Sequence, residues 1–139
     1  MFSKLFRKPA NLQHPPSGTN ANALGIWAEN LACEWLSDRG LVLLQRNFRC
    51  RYGEIDLIMQ DGDCLVFIEV RYRKNSVYGS AEDSITKHKC QRLRSATKEY
   101  LRIGSFGANS AIRFDAVAIS PANESDFHCT INWIKNILQ

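Results

Sequence analysis

The sequence lacks the features that would place it at once in several large functional classes. No segment approaches the roughly 18 consecutive apolar residues that span a bilayer. The basic N-terminus, MFSKLFRKP, is not followed by the apolar core of a signal peptide. A cytoplasmic protein with no membrane partner is therefore the expectation. Cysteines 33, 50, 64, 90 and 129 are odd in number and contain no CxxC pair. That excludes a disulfide framework and a thiolate zinc motif, and most of them read as small core residues. The three histidines, His14, His88 and His128, share no metal-ligand spacing. Internal repeats and low-complexity tracts are also missing. A length of 139 residues with 45% hydrophobic and 23% charged residues suits a single globular domain.

The net charge of +4 is a small excess, so its placement says more than its size. Six of the 18 basic residues fall between Arg46 and Lys74, and six more between Lys87 and Arg102. Between Lys87 and Ile103 the only acid is Glu99, so pairing within a helix does not explain those charges. Two basic segments flanking an acidic centre suit a polyanion held by the surface around a metal held by the centre. Tyr52, Tyr72 and Tyr78 interleave with the basic residues, as in single-strand-binding surfaces; a solvated strand end is the alternative.

The acidic centre is a hairpin, GEIDLIMQDGDCLVFIEVRYR, from Gly53 to Arg73. Its strands are expected over Glu54 to Met59 and Cys64 to Tyr72, joined at Asp61-Gly62, a strong hairpin signal. Asp and Glu are poor strand formers, yet Glu54, Asp56 and Glu69 lie among Ile, Leu, Val and Phe. A two-residue turn at Asp61-Gly62 sets Glu54 opposite Glu69, with Asp56 diagonal to Glu69. Glu54, Asp56, Glu69 and Arg71 then share one face. Two carboxylates so arranged can share a hard divalent cation. A structural charge cluster paired with nearby arginines is the competing reading.

The remaining elements follow from periodicity and end signals. Residues 1–22, with Pro9, Pro15 and Pro16, read as a disordered tail, leaving one domain over 23–139. Ala23 to Arg39 is a predicted helix with an apolar stripe of Leu24, Ala28, Leu31, Ala32, Trp35 and Leu36, stopped at Gly40. Glu29 sits at the edge of that stripe. Leu41 to Cys50 is a strand that opens apolar and ends basic. Thr86 caps a second helix that runs to Ile103 and stops at Gly104. On it, Lys89 stands four residues before the inward-facing Leu93 and is expected to lean toward the sheet. Strands follow over Ile112 to Ser120, with Asp115 inside, and His128 to Trp133. The order α-β-β-β-α-β-β defines an α/β fold with a mixed central sheet and flanking helices.

Asp56 stands thirteen residues before Glu69-Val70-Arg71, after a helix bearing Glu29. This resembles the PD-(D/E)xK nuclease pattern. More narrowly, the chain is similar to the YraN family of small bacterial proteins with a restriction-endonuclease-like, Holliday-junction-resolvase-like fold. The residues that carry the likeness are Gly25, Glu29, Ala32 and Leu36, then Asn47, GEIDLI (53–58) and FIEVRYR (67–73). They continue through Thr86, Lys89, Arg92 and 96–101 to RFD (113–115) and Trp133 to Lys135. The resemblance covers about residues 23–136 and implies several things. Asp56 and Glu69 would be metal ligands, with Glu29 the helix carboxylate and Glu54 a further candidate. The metal would be Mg²⁺ or Mn²⁺. Catalysis would rest on Glu29, Asp56, Glu69 and Arg71, the last at the superfamily's lysine position. Arginine stays protonated and cannot act as a base, but it can hold a scissile phosphate. The expected partner is nucleic acid, DNA in particular, including branched or repair intermediates. Arg49, Arg51, Arg73, Lys87, Lys89, Arg92, Arg94 and Lys98 would bind it. A nuclease fold that binds without cutting is the alternative function, and a homodimer is left open.

Overall fold

Two helices and five strands follow one another in the expected order in the computed structural model, which describes residues 15, 18, 20–73, 81–104, 110–121 and 129–138. Most of the expected tail lies outside the described residues, as do Lys74, Tyr78, His14, His128 and the loops at 74–80, 105–109 and 122–128. Helix α1 is Ala21–Ser37. Strands β1, β2 and β3 are Val42–Cys50, Gly53–Asp61 and Cys64–Tyr72. A single 3-10 turn at Glu82–Ser84 precedes helix α2, Lys87–Ile103. Strands β4 and β5 are Ala111–Pro121 and Cys129–Ile134. Among the described residues, no helix is long and apolar enough to cross a membrane.

Both helix starts have a physical cause. The Asn20 side chain accepts a hydrogen bond from the Ala23 amide at 2.9 Å, so α1 begins two residues before its expected start and inside the stretch read as tail. Thr86 caps α2 as expected, accepting from the Lys89 amide. The sheet runs in the order β1-β2-β3-β4-β5. Its strands are antiparallel except that β3 and β4 are parallel, and α2 makes the crossover between those two. One helix covers each face. Ala28, Leu31, Ala32 and Leu36 of α1 pack on Leu57, Met59, Val66, Ile68, Val117 and Ile119. Leu93 and Ala96 of α2 pack on Ile55, Ile58, Leu65 and Phe67. Because both faces are covered, β2 and β3 are apolar nearly throughout.

The hairpin turn is shifted by one residue from its expected place. Asp61 pairs with Cys64, so the turn residues are Gly62 and Asp63, with Gly62 at a φ of 60°. Glycine at the first central position is the type II′ preference. The shift changes each residue's partner by two positions, so every side chain keeps its face. Continued past its last pair, Leu57 with Ile68, this register sets Asp56 opposite Glu69 rather than diagonal to it.

Asp115 anchors the C-terminus. It is fully buried and accepts from Arg113 Nε at 3.0 Å, from Trp133 Nε1 at 2.9 Å and from the Asn136 amide at 3.1 Å. Arg113 also reaches Asp61 at 2.9 Å, tying the end of β2 to β4. A buried carboxylate with its lone pairs occupied in this way is a structural device. Asp115→Asn removes the charge that strengthens these bonds and turns one acceptor into a donor facing Arg113. Urea unfolding should show a loss of about 2 kcal/mol, with the site described below unaltered in its metal affinity.

Candidate functional site

The site forms where β2 stops pairing regularly with its neighbours. Arg46 pairs with Leu57 and Phe48 with Ile55, but no pair is made between them, where Asn47 and Asp56 lie. Asn47 has a φ of 52°, a left-handed conformation that asparagine tolerates better than most residues. At this point both strands swap faces. Leu57 packs on the α1 side and Ile55 on the α2 side, although strict alternation would give them one face. On the other edge, the Val70 amide donates to Asp56 Oδ2 at 2.8 Å in place of a ladder bond. The carboxylates therefore lie in a fork between strands, open toward both helices.

Ligand atoms of Glu29, Glu54 and Asp56 lie within 4.8 Å of one another. Glu29 comes from the middle of α1, and nothing in the local sequence reveals that it reaches over the sheet to Asp56. Glu54, Asp56, Glu69 and Arg71 line a cleft of about 210 Å³ together with Lys89, Arg92 and Leu93 of α2. The four hairpin residues thus share one opening, as expected, although at Glu54 this depends on the face swap rather than on strict alternation, and Lys89 leans toward it. The first residue of β2, Gly53, packs against α2, where an added Cβ would lie 3.4 Å from Arg92 Cβ.

The electrostatics are those of crowded acids. Burial pushes Asp56 up from 3.8 to about 7, and the neighbouring Glu69 charge adds to this; the Val70 hydrogen bond and Arg71 pull the other way. Glu69 is also raised, chiefly by burial, against the opposing pull of Arg71 and a hydrogen bond with Asp56. Glu29 is raised by burial and by the Asp56 charge, and an Asn47 hydrogen bond offsets part of that. Desolvation and then Arg71 lower Lys89. Arg71 forms an ion pair with Glu69, while its Nε is buried with no hydrogen-bond partner among the described residues.

The other basic residues are dispersed. Arg92 lines the acidic cleft, and Arg73 lines a second cleft on the α1 side. Arg49 sits 3.6 Å from Glu54 in an exposed ion pair. Arg51 lies over the Tyr52 ring, 4.7 Å from its centroid. Lys87 and Arg94 line a separate recess near the C-terminus, with Ile137 and Leu138. Lys98 is exposed on α2 and lines none of these openings. Sequence reasoning gave Asn47 no role of its own. A lone asparagine in mid-strand was its only signal.

Fold and site define a class: a small α/β protein with a five-stranded mixed sheet and a carboxylate-lined fork at the break in its second strand. Within that class the chain belongs to uncharacterised protein family UPF0102, whose profile matches residues 28–119. That agrees with the YraN resemblance. A UPF0102 protein of Methylococcus capsulatus is 42% identical over 123 residues, covering 88% of this chain and 96% of that protein. One from Nitrosococcus oceani is 48% identical over 112 residues, covering 81% and 88%. One from Herminiimonas arsenicoxydans is 40% identical over 133 residues, covering 96% and 98%.

Proposed function

We propose that this protein is a divalent-metal-dependent nuclease acting on DNA, branched and repair intermediates included. The observation that carries this reading is the convergence of Glu29, Glu54 and Asp56 in a fork that also holds Arg71 and Lys89. Three clustered carboxylates are a hard, all-oxygen donor set, which fits Mg²⁺ or Mn²⁺ and does not fit a soft metal. Raised carboxyl pKa values in the metal-free site are the repulsion that a cation relieves. A divalent ion held there supplies Lewis-acid polarisation of a phosphodiester and acidifies water.

The chain's own groups do the rest. Glu29, Glu54 and Asp56 would hold the ion, with Glu69 beside Asp56 completing the acidic set. Glu69 also holds the Arg71 guanidinium, whose partly exposed end faces the cleft and can donate to a phosphate oxygen. Lys89 and Arg92 take neighbouring phosphates. The attacking water gives its proton to the Asp56–Glu69 pair, and its oxygen bonds to phosphorus as the bond to the leaving ester oxygen breaks.

The test is incubation of the purified chain with linear, branched and single-stranded DNA and RNA, with and without Mn²⁺. Cleavage in Mn²⁺ and none in EDTA is expected. Binding should weaken with salt. Changing Lys89 and Arg92 together to Ala should flatten the salt slope by about two phosphates, while Lys98→Ala should leave it nearly unchanged. A second reading is favoured by one observation, the Arg71–Glu69 ion pair at the superfamily's lysine position. In it the fold binds nucleic acid without cutting. Salt-dependent binding with no cleavage under any divalent ion would select it. Absence of binding to every substrate at low salt would sink both readings.

A further inference from the structure

Two clefts meet at Asp56 and Arg71, and they differ in character. The α2-side cleft adds Lys89 and Arg92 to the carboxylates. The α1-side cleft, about 260 Å³, has Leu24, Gly25 and Ala28 of α1 and Val70 and Tyr72 of β3 in its walls, and Glu29, Asp56, Arg71 and Arg73 line it as well. That is just under the roughly 300 Å³ at which small-molecule pockets begin, the scale of one planar ring rather than a cofactor. Tyr72 is held in place by an edge-on contact with Trp27, with ring centroids 5.4 Å apart and planes at 84°.

Gly25 is the second observation. Glycine inside a helix is unfavourable, and close packing is the usual reason for it. Here a Cβ at Gly25 would meet nothing within 4 Å. The glycine borders open space instead. The third observation is Arg71 itself, which lines both clefts with a side chain that is about one-third exposed. A phosphate held there has a charged channel on one side, suited to the next phosphates. On the other side it has a small slot with apolar walls and an ordered aromatic ring, lined also by the charged Glu29, Asp56 and Arg73. The flanking nucleotide can fill such a slot only with its base, and only if that base has left a duplex stack.

We propose that the α1-side cleft receives an unstacked nucleobase next to the phosphate held at Arg71, so that the protein engages nucleic acid through unpaired nucleotides rather than continuous duplex. This rests on the nuclease reading above and specifies the substrate form it prefers.

The experiment uses the full chain in EDTA, so that binding is read without cleavage. The probes are a short single strand of DNA carrying one 2-aminopurine, the same strand annealed to its complement, and the same sequence as RNA. Anisotropy should give an affinity about tenfold higher for the single strand than for the duplex, the scale of one base stacked on an aromatic side chain. The 2-aminopurine emission should change on binding the single strand. A larger response from DNA or from RNA identifies the sugar the slot accepts, and either supports the proposal. Gly25→Trp should fill the slot and cost about tenfold in single-strand affinity, with duplex affinity and thermal stability retained. The wild-type 2-aminopurine signal tests the slot even if that variant does not fold. Equal affinities with silent 2-aminopurine, or a folded Gly25→Trp variant with unchanged single-strand binding, would overturn this proposal and leave the nuclease reading standing. No binding to any probe would overturn both.

Discussion

Replacing Asp56 with Asn is expected to make the metal-free protein more stable and to abolish cleavage. Both effects have one cause. Asp56 is held at about 7 in the folded chain against an ordinary 3.8. Below pH 4 the carboxyl is protonated whether the chain is folded or not, and it contributes nothing to pH dependence. Between pH 4 and 7 the folded state keeps a proton that the unfolded state has released, so stability falls as pH rises. Above pH 7 the cost of an ionised, buried Asp56 beside Glu69 is fully present. Asparagine carries no such cost and still offers the Val70 amide an acceptor oxygen. In EDTA at pH 8, Asp56→Asn should therefore gain about 2 kcal/mol in urea unfolding, and the gain should shrink toward zero near pH 4. Millimolar Mn²⁺ should reverse the order, because only the wild type gains binding energy in its folded state. Cleavage should fall by about four orders of magnitude in Asp56→Asn and in Glu69→Gln. The double variant should be little worse than either, since groups that act as a unit are not additive. A variant less stable than the wild type in EDTA at pH 8 would show that Asp56 is a satisfied structural charge. Full-rate cleavage after both changes would move the activity away from this fork.

The hairpin was legible because its signals are local. Alternation gives Glu69 and Arg71 one face whether the turn falls on Gly62-Asp63 or Asp61-Gly62, while Glu54 reaches the same cleft across the break between Ile55 and Leu57, where alternation fails. Parity survives a one-residue turn shift, but the identity of the opposite residue does not. Sequence counting therefore gave the right set of residues and the wrong partner for Glu69. Helix ends were legible where a cap supplied them, at Thr86 and Gly104. The start of α1 was not, because Asn20 caps it from within a stretch that reads as linker. Glu29 lies far from the hairpin in sequence, and its approach to Asp56 depends on how α1 docks on the sheet. The break at Asn47 and Asp56 was hidden for a different reason. It is a backbone event inside two strands whose side-chain pattern continues across it. That break turns Asp56 out of the ladder and gives it the Val70 amide.

Arg71 is expected to be the residue whose exact chemistry, beyond its charge, the site requires. Its guanidinium does two things at once: it pairs with Glu69 and presents a partly exposed edge to the fork. Changing Arg71 to Met removes both. Glu69 then loses the nearest positive charge that opposes its raised pKa, so the metal-free carboxyls should hold their protons to higher pH. Cleavage should fall by about 10²- to 10³-fold, the scale of losing one donor aimed at developing phosphate charge. Arg71→Lys separates the two roles. Lysine restores a charge for Glu69 but offers a single ammonium in place of a planar fork. It cannot serve Glu69 and a phosphate oxygen in the same geometry. Metal affinity, read by calorimetry with Mn²⁺, should return to near the wild-type value in Arg71→Lys. Cleavage should recover only in part, to about a tenth of the wild-type rate, since one of two donors is missing. The opposite result is equally informative. If lysine raises cleavage above the wild type, the arginine restrains a latent activity and the binding-only reading gains. If Met and Lys both leave cleavage untouched, the phosphate is held elsewhere, and the buried Nε is only an unsatisfied donor of the fold.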